Sequence, residues 1–351
     1  MSNFSEGMVH GPFIAMDYKK RIAKAREYME EQKVEALLVK SSSNIFYLTG
    51  LLEIEGFFFL DKKGINLFVP ELYYHECLDR RVLKDINVII YKADSLEKFL
   101  KAYKKIAFIP SELPHSLFLS FRKRFKSDLV PLTDFLLEMR MLKEKGEIRL
   151  IKKALEINRR VFEETEKHLK EGAIEAEVAG EIHLRIRQLG GRKEAFEPIV
   201  ASGPNSSYPH HKSGSRVIRK REPVVIDAGT DFCGYKSDLT RTLFCGGATK
   251  KFRELFQFME EVLYKTVDFI QPGKTGKEID SFARNILRRK KLEKYFVHGL
   301  GHGVGVDVHE KPVLNSTSED VVKEGSVLTV EPGIYLPHEG GIRLEEMLII
   351  D

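Results

Sequence analysis

The densest cluster of chemically able residues is His298–Glu310, HGLGHGVGVDVHE, where His298, His302 and His309 stand among four glycines. Neutral imidazoles ligate metals, and glycine lets the backbone approach whatever they hold. His298 and His302 are four apart, as two zinc ligands on a helix face would be, but glycine at every second position speaks against a helix. The segment reads as a turn leading into a strand over residues 304–309. In such a strand His302 and His309 face opposite sides unless the turn re-aims His302. The alternative is a loop whose histidines are satisfied by local hydrogen bonds.

Four carboxylates decide between these readings. Asp227 closes the apolar run Val224-Val225-Ile226 and Asp238 follows eleven residues later; Glu331 closes Val327–Val330 and Glu345 follows fourteen later. Each half of this region delivers one carboxylate from the end of a buried strand and another from the strand that returns beside it. Buried and unpaired they are costly, so a cation must stand nearby. Arg241 and Arg343 offer charge, but two arginines do not neutralise four carboxylates and leave a role for His302. A metal centre accounts for the whole set. Oxygen-rich ligands with one imidazole suit Mn, Co, Fe or Zn, and four carboxylates can hold two ions by bridging them.

The elements that must position these groups fall into two domains, residues 1–140 and 141–351. The first reads as α/β: a charged helix over 17–32, a polar turn at Ser41–Asn44, strands at Ala36–Val39, Ile45–Leu48, Phe57–Leu60, Leu67–Val69, Val88–Tyr91 and Ile106–Ile109, and a short helix over Leu96–Tyr103. It carries no cluster of catalytic residue types. From Glu144 a long amphipathic helix begins, followed by a helix over Glu175–Leu189 that stops at Gly190-Gly191. Strands follow at Phe196–Ala201, Val224–Asp227 and Leu239–Phe244. The order then recurs, with helices over Lys250–Ile270 and Gly276–Lys290 and strands through Val297, Val304–His309, Val327–Val330 and Gly341–Ile350. Two helices then strands, twice over, is an α+β domain with an internal duplication of structure.

Composition narrows the partners. Lys and Arg total 57 against 52 Asp and Glu, a mild excess that requires no polyanion, and the basic runs Arg122–Lys126 and Arg288–Lys291 read as solvated helix faces, so no nucleic acid is expected. Three cysteines without CxxC spacing fit reduced thiols in a cytoplasm. The amino terminus lacks the apolar run of a signal peptide, no stretch approaches the roughly 20 apolar residues that cross a bilayer, and Met16 is an alternative start. A cytoplasmic protein without membrane association is expected.

The segments EPIVASGPNSSYPHH (197–211), IDAGTDFCGYKSDLTRT (226–242), HGLGHGVGVDVHE, TVEPGIY (329–335) and GIRLEE together resemble the pita-bread metallopeptidases, in the Xaa-Pro aminopeptidase and prolidase branch. SSNIFYLTG (42–50) resembles their creatinase-type amino-terminal domain. The resemblance implies a two-metal site with Asp227 chelating one ion, His302 and Glu331 on the other, and Asp238 and Glu345 bridging. It implies a bridging water acidified to hydroxide as nucleophile, with Glu331 also managing the proton. His210 and His309 would stand around the substrate carbonyl and proline as catalytic and substrate-binding residues, the motif selecting His210 over His211, with Arg343 supporting a ligating carboxylate. The implied activity is hydrolysis of the Xaa-Pro bond at the amino terminus of dipeptides or short peptides, by a homodimer joined through the amino-terminal domain. The motifs are shared by dipeptidases and aminopeptidases, and the reading leans to the dipeptidase. A metal-free creatinase-like C–N hydrolase and a non-catalytic interaction protein are the alternatives on this fold; neither needs the complete ligand set.

Overall fold

A computed structural model describes residues 16–351 without 125, 126 and 134, and leaves the side chains of 93 and 94 undescribed. The segment ahead of Met16 and the end of the first basic run lie outside the described residues. The chain divides into two compact units, one ending at Met139 and the other starting at Arg140.

The amino-terminal unit is α/β. Its six-stranded mixed sheet runs in the order Ile86–Ile90, Ile65–Val69, Phe57–Asp61, Ala36–Val39, Lys105–Phe108, Asp128–Pro131. The three central strands are buried on both faces, which is why they are legible as continuous apolar runs. Asp17 caps the first helix, Tyr18–Glu31, by accepting from the Lys20 amide at 2.9 Å, and Ile22, Ala25 and Met29 turn inward. The expected strand at Ile45–Leu48 is instead part of a helix, Ser42–Thr49. Short apolar runs are ambiguous by periodicity, and here the ends decide. Ser41 Oγ accepts from the Asn44 amide at 3.2 Å, Glu112 takes the amides of Lys40 and Ser41, and Gly50 closes the helix in the left-handed region at φ 79°. Helices at Glu71–Arg80, His115–Arg124 and Phe135–Met141 and the edge strand Asp128–Pro131 were not anticipated.

The carboxy-terminal unit is α+β and duplicated. Helices Lys145–His168 and Glu175–Gln188 precede a sheet ordered Leu239–Phe244, Pro223–Ala228, Ile199–Ser202. Helices Lys250–Phe269 and Gly276–Arg289 precede a sheet ordered Glu310–Leu314, Gly301–Gly303, Val327–Val330, Glu346–Ile349. Thr275 and Glu278 form a capping box at the start of the last helix, and its apolar face joins Ile279, Ala283, Ile286 and Leu287 to Leu328 and Val330. The long first helix is tied to the first sheet where Asn158 Nδ2 donates to the Ala228 carbonyl at 2.7 Å.

Three expectations here are corrected. Residues 304–309 are a series of bends rather than a strand; a single turn of 3-10 helix, Glu293–Tyr295, stands where strand was expected near Val297; and Gly341–Ile350 is two strands, Gly340–Arg343 and Glu346–Ile349, broken at Leu344 and Glu345. Each break lies beside a residue singled out from the sequence, His309, His298 or Glu345, and there the backbone leaves the ladder.

The amino-terminal core yields a stability test. Phe59 is fully buried and meets Phe99 edge-on at 4.6 Å between centroids. Phe59→Ala is expected to lower the unfolding free energy of this unit by ~3–5 kcal/mol, read from the denaturant midpoint.

Candidate metal centre

Strand register brings the carboxylates together. Pro223–Ala228 and Leu239–Phe244 pair antiparallel with Asp227 opposite Thr240, so Asp238, two residues before Thr240, lies at the same sheet end and on the same face. Val327–Val330 and Glu346–Ile349 pair antiparallel with Val330 opposite Glu346, which brings Glu331 and Glu345 to one end of the second sheet. The Glu345 amide donates to the Thr240 carbonyl at 3.1 Å, and Thr240 Oγ1 donates to Glu345 Oε2 at 2.9 Å. The two sheets therefore meet at their carboxylate-bearing ends.

His302 arrives from the short strand Gly301–Gly303, its amide held by Thr329 Oγ1 at 3.1 Å. A Cβ at Gly301 would lie 2.1 Å from the Thr329 carbonyl oxygen, so glycine is required for this approach. His302 Nδ1 faces the Gly303 carbonyl at 3.1 Å, which assigns the proton to Nδ1 and leaves the Nε2 lone pair directed inward. Nε2 lies 3.5 Å from Glu331 Oε1 and 3.7 Å from Asp238 Oδ2. Burial lowers the His302 pKa to about 4, with His309 adding to the effect, so the ring is a neutral ligand near neutral pH.

The donor set fits divalent metal. Ligand atoms of Asp238, His302 and Glu345 all lie within 4.8 Å of one another. Asp227 Oδ1, Asp238 Oδ1 and Glu345 Oε1 are buried and accept no hydrogen bond. Burial raises the Asp238 and Glu345 carboxyls well above the carboxylate range, and repulsion from the other acids adds to it. Burial likewise raises Glu331 to about 8, with Arg343 opposing and Asp227 adding. Side chains this crowded stay together as anions only around a multivalent cation.

Of the two arginines weighed from the sequence, Arg241 pairs with Glu346 at 2.6 Å, whereas Arg343 reaches the cluster. Arg343 Nη2 donates to Asp227 Oδ2 at 2.6 Å, Nη1 to Tyr335 Oη at 2.9 Å and to the Pro209 carbonyl at 3.1 Å. Its carboxylate partner is thus Asp227, not the Glu345 two positions along. Tyr335 Oη lies 2.8 Å from His298 Nε2, and His298 Nδ1 lies 2.7 Å from the Gly299 carbonyl. His298 is consumed in this chain of hydrogen bonds and is not a ligand. Tyr335 and His298 were missed as supports because their partners are distant in sequence, although Tyr335 falls inside TVEPGIY.

His210 and His211 lie in different surroundings. His211 Nε2 bonds Glu175 Oε2 at 2.9 Å, and fully buried Glu175 also takes the amide and hydroxyl of Ser202 and the side chain of Asn205. His210 is exposed. His309 is also at the surface, its ring packed on His302 with centroids 4.3 Å apart. The bends at 304–309 thus bring together two rings that a strand would have sent to opposite faces. His309 lies close enough to Asp227 and His210 to feel their charges; surrounding protein lowers its pKa and Asp227 opposes that.

The model described as metallopeptidase family M24 matches residues 149–351, and that of the creatinase/prolidase N-terminal domain matches residues 21–142. The chain is similar to an Xaa-Pro dipeptidase of Pyrococcus horikoshii, 34% identical over 334 residues that cover 94% of each chain. Among solved structures it is similar to the prolidase from Pyrococcus furiosus, with TM-score 0.87, 33% identity and coverage of 92% of this chain and 96% of that one. It is also similar to the X-Pro aminopeptidase from Thermotoga maritima, with TM-score 0.89, 30% identity and coverage of 94% of each.

The raised carboxyls fix the sign of a pH dependence. In metal-free protein, Glu331 keeps up to about pH 8 a proton that the unfolded chain has released, so folded stability falls as pH rises from the ordinary carboxylate range to about 8. Thermal denaturation in chelator is expected to show this decline. Added Mn2+ should reverse it, binding more tightly as pH rises because the ligands must deprotonate. A flat profile in chelator would contradict the assignment.

Proposed function

The chain belongs to metallopeptidase family M24, and from that premise we propose that it is an Xaa-Pro peptidase working with two divalent ions. Asp227, Asp238, His302, Glu331 and Glu345 would hold them, Asp238 and Glu345 shared between the two. Mn, Co, Fe or Zn suits this oxygen-rich set with one imidazole. The observation that carries the reading is the grouping of Asp238 and Glu345, each with a buried oxygen that accepts no hydrogen bond, around the neutral imidazole of His302. The metal-free hydrolase and the non-catalytic protein are not favoured: neither accounts for four mutually repelling acids kept together.

When bound, the ions supply Lewis acidity, polarising the scissile carbonyl and acidifying water at neutral pH. The chain does the rest. Glu331 accepts a proton at its carboxylate as water adds to the carbonyl and returns it to the leaving proline nitrogen. His210 and His309, at the opening of the site, contact the carbonyl oxygen and the proline and stabilise charge that develops there. Arg343 orients Asp227 and leaves Oδ1 as the donor. The substrate is the bond preceding proline in a dipeptide or short peptide, where the nitrogen bears no hydrogen and the ring is fixed. Relatives carry both dipeptidase and aminopeptidase names, and we favour the dipeptidase, in keeping with the Pyrococcus relatives. A homodimer through the amino-terminal unit, where no metal-holding group of acids and histidines occurs among the described residues, completes the proposal. The cysteines are free thiols, as a reducing cytoplasm would keep them. Among the described residues no helix is long and apolar enough to cross a membrane.

Purified protein loaded with Mn2+ should cleave an Xaa-Pro dipeptide faster than Xaa-Pro-Yaa and leave matched Xaa-Ala essentially intact. Equal rates on Xaa-Ala would overturn proline specificity, and faster tripeptide cleavage would select the aminopeptidase. Asp238→Ala should abolish turnover and remove more than one ion's worth of binding in calorimetry. A variant that still binds two ions and cleaves normally would refute the shared-ligand assignment.

A further inference from the structure

The bends at residues 304–309 join the strand carrying His302 to the strand Glu310–Leu314, and Gly303 pairs with Glu310, so the two ends of the loop meet. Little sheet hydrogen bonding holds the stretch between. Val304 donates to the Val327 carbonyl at 3.0 Å, and the Gly305 carbonyl accepts from the Lys236 amide at 2.8 Å. A further anchor is a side chain. Glu310 is 4% exposed, and its Oε1 accepts from the Asp307 amide at 2.8 Å. The loop therefore folds around a buried carboxylate instead of pairing as a strand.

Two cations from the start of this unit hold that carboxylate. Arg140 Nε donates to Glu310 Oε1 at 3.2 Å, and Arg140 Nη2 bonds both Glu310 Oε1 and Asp307 Oδ2. Lys143 Nζ lies 3.2 Å from Glu310 Oε2. Burial opposes the charge on Glu310, yet Arg140 and Lys143 outweigh it and hold the pKa at about 2. Gly305 completes the fit: a Cβ there would lie 2.6 Å from Glu310 Oε2, so a side chain at this position would push the carboxylate out of its clamp. None of these five residues is placed among the metal ligands or the substrate contacts. What the anchored loop delivers is His309, one residue before Glu310, against the ring of His302.

We propose that Glu310 is a positioning residue for His309: its buried carboxylate, clamped by Arg140 and Lys143, holds loop 304–309 in the bend that sets the His309 imidazole beside the metal centre. The proposal rests on the role given to His309 in the reading above. It differs from a general stabilising role in requiring that Glu310 act on turnover through His309, so that the two side chains are not independent in kinetics.

A double-mutant cycle tests this in Mn2+-loaded protein, on the peptide that the wild type cleaves. Glu310→Gln is expected to lower kcat by about ten-fold or more with KM changed by less than about two-fold and bound metal unchanged. In the His309→Ala background the same substitution should change kcat by less than about two-fold, because the group it positions is gone. Multiplying losses in the double variant would overturn the proposal while leaving the function standing, as would full activity of Glu310→Gln. His309→Ala as active as wild type would overturn both the role of His309 and the proposal. Should Glu310→Gln fail to fold for want of charge balance, Gly305→Ala displaces the same carboxylate without changing any charge. It is expected to show the same kcat loss and the same absence of effect in the His309→Ala background; multiplying losses there would equally overturn the proposal.

Discussion

Four carboxylates from two antiparallel strand pairs, and one imidazole from the strand Gly301–Gly303, converge at distances where the acids repel, and the carboxy-terminal unit is organised around holding them there. Burial and mutual repulsion push Asp238, Glu345 and Glu331 upward together, and Arg343, committed to Asp227, offsets only part of this. The backbone therefore has to impose what the side chains resist. Antiparallel register does so, because a residue opposite Thr240 and one two places before it share a face regardless of their charge. Metal binding then turns repulsion into attraction, which couples the site's protonation to its occupancy.

The histidines around the acid cluster come on segments that leave the ladders, and each such segment is held by a charged side chain that is buried or, for Arg284, half-buried. Glu175 gathers Ser202, Asn205 and His211 beneath the loop of His210. Arg284, paired with Asp280 on its own helix, donates to the carbonyls of Phe296 at 3.0 Å and His298 at 2.6 Å. Glu310 takes the Asp307 amide beneath the loop of His309. Irregular backbone near a site carries polar groups that no ladder satisfies, and a buried carboxylate or guanidinium satisfies several at once in fixed directions. Asp227 and His302 come from strands and Asp238, Glu331 and Glu345 from strand ends, whereas His210 and His309 come on clamped loops.

Much of this was written locally. The runs before Asp227 and Glu331 showed buried strands that end on an acid, and such an ending has few explanations other than a cation. The long helices, with their caps and periodic apolar faces, were legible for the same reason: the pattern that defines them lies within one window of sequence. The five motifs in order carried the family resemblance, and the alternation of helices and strands carried the duplication. Ser42–Thr49 was misread because its four apolar residues fit strand and helix alike, and the deciding group, Glu112, lies far along the chain.

The chain's own residues thus determined which side chains have the chemistry and which strands would bring four of them to an edge. Tertiary structure alone decided how the remaining groups face the centre. Arg343 chose Asp227 over Glu345, and His211 was withdrawn to Glu175, leaving His210 exposed. Residues 304–309 bent around Glu310 and turned His309 back onto His302. Each outcome is a contact between groups separated by 116 residues in the first case, by 36 in the second, and in the third by the 170 between Glu310 and its clamp Arg140. Hydrophobic periodicity reports which face of an element is buried, but the partner of a buried charge is set by where folding places the opposite charge, and no local pattern encodes that.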